Sequence, residues 1–204
     1  MSPAYRLSLY ANGFLLGFVL MGFEMLGSRY LNPYFGSGIF TWAALISTAL
    51  FALMVGYFAG GLVVDRWPRE ALLGRLILIA AVGLALVPLL ADPITALVIA
   101  AAGDGPLGVM LAAVLLMCAP LTLIACFSPF CVRLLLESLD RSGRQTGLVY
   151  GITTTGNIFG TIMTAFWLVP SYGTRAITYA FAACVALSGL SLLLGRLRGE
   201  AARR

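Results

Sequence analysis

The chain has 204 residues, of which 61% are hydrophobic and 10% are charged. Soluble domains carry about a quarter of charged residues, so this composition excludes a soluble globular protein and leaves no room for a sizeable soluble domain. The 13 basic residues are all arginine and histidine is absent, which removes the commonest metal ligand and proton shuttle. We therefore expect no metal centre, no cofactor and no catalytic activity.

The apolar runs predict an all-α, multi-pass membrane protein. A crossing needs about 20 residues, and six fit within a transmembrane domain of residues 1–195, followed by a short basic tail of residues 196–204. The predicted spans are 7–28, 39–64, 71–90, 107–127, 146–169 and 175–195.

Glu24 is the one acid inside the apolar body of a predicted span. A charge in hydrocarbon costs from about 3 to well over 10 kcal/mol, so the side chain should face a protein interior or a water-filled cavity. That requirement makes Glu24 the first candidate for binding a solute. The alternative is that Glu24 lies near the outer end of its helix, where it reaches headgroup water or pairs with Arg29.

Turn residues separate the predicted spans. A link of residues 30–38, which carries Asn32, Pro33, Gly36 and Gly38, is expected to break the helix after the first span, and Pro88 with the Asp92-Pro93 pair is expected to end the third. The segment 91–106 is apolar but too short to cross a bilayer, so it is either an interfacial helix or an extension of a span. Pro120 is expected to kink the fourth span.

A charged turn, GLVVDRWPR, follows the second span. Asp65, Arg66 and Arg69 in this turn are predicted to lock the cytoplasmic side by pairing with helix ends, with Glu137 or Asp140 of the next inward loop as partners and Arg133 as a contact of Asp65. The alternative is an orientation signal of the kind that every membrane protein needs.

Small residues recur at helical spacing in three spans and predict close helix packing. The fifth span also carries several hydroxyl and amide side chains, which indicate either a tightly packed central helix or the lining of a polar pathway. Together with Glu24 and Arg29, Thr154 and Asn157 of this span are predicted to bind a solute. The glycines predicted to pack are Gly13, Gly17, Gly56, Gly60, Gly147, Gly151, Gly156 and Gly160.

The arginines predict the orientation of the chain. With the N-terminus in the cytoplasm, eleven arginines fall on the cytoplasmic side and two, Arg29 and Arg175, fall outside. Such an excess in short loops indicates that both termini are cytoplasmic. Because the basic residues gather at helix ends, we attribute the net charge of +5 to membrane orientation and expect no nucleic-acid partner.

Several stretches resemble a known family. GLVVDRWPR is similar to the loop between the second and third helices of major facilitator transporters. In chain order, GFEMLGSRYLNPYFG, GYFAGGLVVDR, SPFCVRLL and GRQTGLVYGITTTGNIFGTIMTAFWLVPSYG resemble the membrane domain of bacterial proteins that fuse a major-facilitator-like part to a spermidine-synthase-like part. In that family a Glu and an Arg five positions later end the first helix, and Glu24 and Arg29 occupy these positions.

The resemblance implies half of a major facilitator fold, built of two inverted three-helix repeats, in a bacterial inner membrane. In longer relatives a soluble domain similar to aminopropyltransferases follows, whereas this sequence stops at Arg204. No catalytic residue of that domain is therefore expected here.

Two functions remain open at this point. One is a non-catalytic membrane module that moves or presents a small, polyamine-like cationic solute, or docks a soluble aminopropyltransferase-like partner. The other is a structural subunit or assembly factor with no solute path. In the first case a homodimer would rebuild a twelve-helix arrangement.

Overall fold

The computed structural model describes residues 3–136 and 142–201, the side chains of 195–201 excepted. Throughout this part the chain is helical and contains no strand, and six helices are long and apolar enough to cross a membrane. The prediction of an all-α chain with six such helices is confirmed, and the chain is compatible with a multi-pass membrane protein. The helices are α1 (Pro3–Phe35), α2 (Ile39–Arg66), α3 (Glu70–Ala102), α4 (Pro106–Leu135), α5 (Ser142–Ser171) and α6 (Thr174–Ala201).

Of the four residues predicted to break the chain here, Asn32 and Pro33 lie inside α1, which continues to Phe35. Pro33 removes one main-chain donor, but it lies in the last turn and little helix remains to be disrupted. The break comes at Gly36, which has a φ of 70° and whose N–H bonds the carbonyl of Asn32 at 2.9 Å. A glycine in this left-handed conformation is a common helix end.

Helix α3 likewise runs through Pro88 and Pro93, where the sequence predicted an end. Of the two alternatives for residues 91–106, the structure has the extension, with the helix continuing to Ala102. Its end is Gly103, with a φ of 77°. In a membrane helix, prolines are tolerated because neighbouring helices and local adjustments satisfy the freed carbonyls.

Two other helices contain π-helical turns just before a proline. Helix α4 has one at Val114–Cys118, ahead of Pro120, and α5 has one at Thr164–Leu168, ahead of Pro170. A π turn moves each hydrogen bond one residue further along the chain. Such a shift lets a helix pass a residue that has no N–H, and the kink at Pro120 stays a prediction.

The six helices pack in a regular pattern. The closest pairs are α1 with α5, α2 with α4 and α3 with α6, and α1 also contacts α6 while α3 contacts α4. If α1 is exchanged with α4, α2 with α5 and α3 with α6, the same five pairs result. The two halves of the chain therefore contribute equivalent contacts to the bundle.

Glycines allow the α1–α5 pair to approach closely. Gly156 and Gly160 of α5 lie against the main-chain carbonyls of Phe14 and Phe18. On α1, Gly17 lies against the carbonyl of Thr153. A Cβ atom at any of these glycines would collide with backbone, which cannot rotate away.

Glycines also allow the α2–α4 pair to approach closely. Gly56 lies against the carbonyl of Thr122, and a Cβ at Gly60 would stand 2.9 Å from the Cα of Cys126. In this pair, as in α1–α5, two glycines four residues apart on one helix meet two residues four apart on the other. Close contact of backbones is the main source of helix association in lipid.

The remaining predicted packing glycines behave differently from one another. A Cβ at Gly13 would stand 3.1 Å from the ring of Phe127, which is a tight contact. Nothing lies within 4 Å of such an atom at Gly147 or Gly151, and both residues are exposed. Gly147 and Gly151 face away from α1 and make no close contact within the described residues, so their role in packing stays a prediction.

A buried amide joins α1 to α6. The Asn12 Oδ1 atom accepts hydrogen bonds from Ser188 Oγ at 2.6 Å and Ser191 Oγ at 3.1 Å, and its Nδ2 donates to the carbonyl of Ser8 at 2.8 Å. Such interhelical bonds contribute roughly 0.6 kcal/mol each in a membrane protein. The amide is thus a structural contact between helices.

Candidate binding site

Glu24 lies in the interior of the bundle, with 6% of its surface exposed. Within residues 3–136 and 142–194, no side chain forms a hydrogen bond or ion pair with its carboxylate. Arg29 is exposed, because five residues turn a helix by about 140° beyond a full turn. The structure therefore gives Glu24 an interior position without the Arg29 pair that was its alternative.

The two π-helical turns lie on either side of Glu24 along α1. A Cβ at Gly22 would stand 2.7 Å from Thr164 Oγ1, and one at Gly27 would stand 2.6 Å from Met117 Sδ. Thr164 and Met117 belong to the π turns of α5 and α4 respectively. Glu24 is thus at the level where both neighbouring helices are irregular, and π turns are frequent at functional sites.

Several buried side-chain oxygens near the bundle interior lack a hydrogen-bond partner. Among the described residues they include Thr48 Oγ1, Thr164 Oγ1 and Asn157 Oδ1. A buried polar atom without a partner costs about 1 to 3 kcal/mol, and native proteins usually supply one, often a water. The interior around α1 therefore has unused capacity to bind a polar group.

A narrow cleft between α1, α2, α4 and α5 leaves about 10 Å³ free, which is room for about one water molecule. Its polar side chains come from three helices, α2, α4 and α5. Leucines, an isoleucine and the ring of Phe127 form most of the rest of the lining. The polar lining residues are Tyr57, Ser128, Thr153 and Asn157.

The four predicted solute contacts do not come together. Glu24 is buried and Asn157 is half-buried, whereas Arg29 and Thr154 are exposed. Adjacent residues of a helix are rotated by about 100°, so Thr154 turns away from the face that carries Thr153. Arg29 and Thr154 thus lie outside the interior that holds Glu24, and their contact with a solute stays a prediction. Tyr57 and Ser128 were missed, because a lone hydroxyl in an apolar span gives no clear signal in the sequence.

The charged turn after α2 is solvent-exposed. Asp65, Arg66, Arg69 and Arg133 all have exposed side chains. No ion pair joins them to one another within the described part of the chain, and Glu137 and Asp140 lie outside the described residues. The proposed lock between this turn and the end of α4 stays a prediction.

A polar cluster that the sequence did not predict joins α1, α3 and α6 at the opposite end of the bundle. Arg175 pairs with Asp92 at 2.9 Å, Tyr34 donates to Asp92 at 3.1 Å, and the hydroxyls of Tyr30 and Thr178 are 2.8 Å apart. The sequence placed Asp92 in a turn, so its contacts with α1 and α6 were not predicted. Exposed ion pairs contribute about 0 to 1 kcal/mol, so the cluster orients helix ends more than it stabilises them.

Neither a family model, nor a curated protein, nor a solved structure matches the chain. The resemblance to the fused facilitator-like and spermidine-synthase-like proteins therefore stays a prediction.

Proposed function

We propose that this chain is a non-catalytic, multi-pass membrane module whose interior receives a small cationic solute at Glu24. The observation that carries the proposal is a buried carboxylate with no cationic partner among the described residues. A carboxylate in an apolar interior needs a counter-charge or a proton. A mobile cation supplies the counter-charge when the protein has none to offer, so the site binds the cation reversibly.

The packing of the helices supports the arrangement of half a major facilitator. The pairs of helices in contact are unchanged when the first three helices are exchanged for the last three. Two three-helix repeats that cross a membrane in succession must run in opposite directions, which is the inverted-repeat plan of such transporters. Six helices form one bundle, and rocking transport needs two, so we propose that the working unit is a homodimer.

The proposed setting is a bacterial inner membrane with both termini in the cytoplasm. Support comes from the excess of arginines on one side of the six helices and from the family resemblance. In this orientation the exposed turn at Asp65, Arg66 and Arg69 faces the cytoplasm. It is available there to dock a soluble aminopropyltransferase-like protein, as the fused relatives suggest.

Uptake into liposomes tests the transport function. Purified protein is reconstituted, and entry of labelled putrescine, a linear diamine, is compared with protein-free liposomes at several pH values and membrane potentials. We expect saturable uptake that competing diamines suppress. Uptake no faster than that of protein-free liposomes, with correctly folded protein, would remove transport from the proposal.

A structural subunit is the second candidate, and one observation favours it. The most apolar stretch of α5 is the least apolar of the six and only 17% buried, against 39 to 61% for the other helices. The exposed face includes Gly143, Gly147, Gly151, Thr154 and Thr155. Lipid gives such small and hydroxyl residues little to pack against, whereas a second helix packs well on them.

Cross-linking measures whether α5 contacts another protein chain. In a variant with its four cysteines replaced, a cysteine at Gly151 is expected to form a disulfide-linked dimer in native membranes. A cysteine at Leu187, on the exposed face of α6, is the matched control and should not. Cross-links from position 151 to a different protein would favour the structural subunit, and a homodimer would favour the paired transporter.

A further inference from the structure

Three exposed arginines continue the exposed apolar faces of their helices. Each lies four residues from the last exposed large apolar side chain at one end of its helix, and residues four apart share a helix face. In a helix that crosses a membrane, an exposed apolar face is the face in contact with lipid. The three pairs are Leu62 and Arg66 in α2, Ile79 and Arg75 in α3, and Leu148 and Arg144 in α5.

The three arginines lie at the same end of the bundle. Arg66 and Arg75 stand on either side of the short turn that joins α2 to α3. The rings of Tyr57 and Tyr150 pack edge to face with their centroids 5.7 Å apart. These rings lie nine residues before Arg66 and six residues after Arg144, so the end of α2 and the start of α5 are at a similar level. We call Arg66, Arg75 and Arg144 the arginine collar.

The lengths of the helices place the arginine collar in the headgroup layer. Helix α2 has 28 residues, or about 42 Å, whereas the hydrocarbon core of a bilayer is about 30 Å thick. In a centred helix the end residue Arg66 is then about 6 Å outside the hydrocarbon. Arg75 and Arg144 lie near the starts of helices of 33 and 30 residues, which extend further beyond it. Trp67, next to Arg66, is exposed, and tryptophan is enriched at this interface.

The arginine collar carries positive charge that the chain does not neutralise. None of its three guanidinium groups forms an ion pair or hydrogen bond within the described residues. At the opposite end of the bundle, Arg175 also precedes an exposed side chain, Tyr179, by four residues. Arg175 pairs with Asp92 at 2.9 Å, however, so its charge is already balanced. The collar therefore presents unbalanced cations to lipid, whereas Arg175 does not.

The chemistry of the arginine collar matches lipid phosphate. A guanidinium group binds phosphate through two parallel N–H···O bonds, and arginines that cluster at a membrane surface attract anionic lipids. Orientation in the membrane requires arginines in the turns but not on helix faces that contact lipid. The position of the collar on these faces is thus unexplained by orientation alone.

We propose that the arginine collar binds the phosphate groups of anionic phospholipids in the leaflet at its end of the bundle. In the proposed orientation this is the cytoplasmic leaflet. The inference goes beyond the proposed function and does not depend on a solute at Glu24.

Stabilisation by added lipid tests the proposal. The unfolding temperature of the purified protein in detergent is measured against increasing phosphatidylglycerol, which is anionic, or phosphatidylcholine, whose phosphate is balanced by its own cation. A ligand that binds the folded state raises this temperature. We expect half-maximal stabilisation at a lower concentration of phosphatidylglycerol than of phosphatidylcholine. Equal effects of the two lipids, or an equal rise with inorganic phosphate alone, would overturn the proposal.

Neutral variants locate the effect. Replacing all three collar arginines with glutamine is expected to raise the phosphatidylglycerol concentration for half-maximal stabilisation by about a hundredfold, or about fivefold for each arginine. The effect of phosphatidylcholine should stay as in wild type. Arg75→Gln alone, with an expected loss of about fivefold, carries the test if the triple variant fails to fold.

Arg133→Gln is the matched control. Arg133 is an exposed arginine near the end of α4, but Pro129 and Phe130, one turn before it, are half-buried and buried. It therefore continues no exposed apolar face, and its replacement should leave the preference for phosphatidylglycerol intact. Undiminished phosphatidylglycerol binding in the collar variants, or as large a loss in Arg133→Gln as in Arg75→Gln, would contradict the assignment.

Discussion

Replacing Glu24 with glutamine is expected to weaken binding of a cationic solute by about 30-fold to several thousandfold, and to abolish uptake at low solute concentration. Removing one partner of a buried charge pair costs about 2 to 5 kcal/mol, and each 1.4 kcal/mol is a factor of ten. The carboxylate has no cationic partner among the described residues, so in this account the solute is its only counter-charge. Putrescine uptake by reconstituted Glu24→Gln protein is the measurement.

The same variant is expected to fold normally. Glutamine has nearly the shape of glutamate and removes a costly buried charge, so the unfolding temperature should stay equal or rise. Asp104→Asn is the matched control, because Asp104 is an exposed acid in the turn between α3 and α4. Uptake at the wild-type rate in Glu24→Gln would exclude Glu24 from the mechanism, and an equal loss in Asp104→Asn would indicate a general effect of surface charge.

Adding a side chain at Gly160 is expected to disrupt the pairing of α1 with α5. The glycine lies against the carbonyl of Phe18, so even one methyl group forces the two helices apart. Overpacking of this kind costs about 1 to 3 kcal/mol, and sometimes more. Gly160→Ala should lower the unfolding free energy by about that amount, and Gly156→Ala with Gly160→Ala should reduce the yield of folded protein.

The exposed glycines of the same helix provide the control. Gly147→Ala and Gly151→Ala add the same methyl group where nothing lies within 4 Å. Since alanine favours a helix over glycine by about 1 kcal/mol, their unfolding free energies should equal that of wild type or rise when the protein is monomeric in detergent. If Gly156→Ala and Gly160→Ala prove no less stable than Gly147→Ala and Gly151→Ala, the α1–α5 contact described here is wrong.

Proline was the least reliable guide to the helix ends. Pro33 was one of four residues predicted to break the chain after the first span, and Pro88 and Pro93 were predicted to end the third, but the helices continue through all three prolines. The rule that proline breaks helices comes from water-soluble proteins. There the carbonyl that loses its N–H partner can hydrogen-bond to water, so ending the helix costs little. In lipid an irregular backbone costs several kcal/mol for each unpaired group, so the helix persists until a glycine with positive φ, Gly36 or Gly103, ends it.

The candidate site was predictable only in part. Glu24 was identifiable because an acid in an apolar span is rare and costly. Arg29 was assigned from the family resemblance and Thr154 from the polar content of α5, and the rotation of each helix leaves both side chains exposed. Asn157 came from the polar content of α5, but the face it occupies depends on which helix packs against α5, and no local pattern contains that information.

Site-specific thiol labelling tests the six alternating crossings. Single cysteines are introduced at exposed turn positions of a variant without native cysteines and treated with a membrane-impermeant maleimide. Ser37, Gly105 and Gly173 are expected to react in intact cells. Pro68 and Gly143, which lie at the other ends of the helices, should react only after the membrane is opened.

Glu24→Cys in the same labelling experiment shows whether residue 24 is enclosed by six membrane-crossing helices. We expect this cysteine to react slowly or not at all from either side while the turn cysteines react on alternate sides. Labelling at position 24 as fast as at Ser37, or labelling of two consecutive turns from the same side, would contradict it.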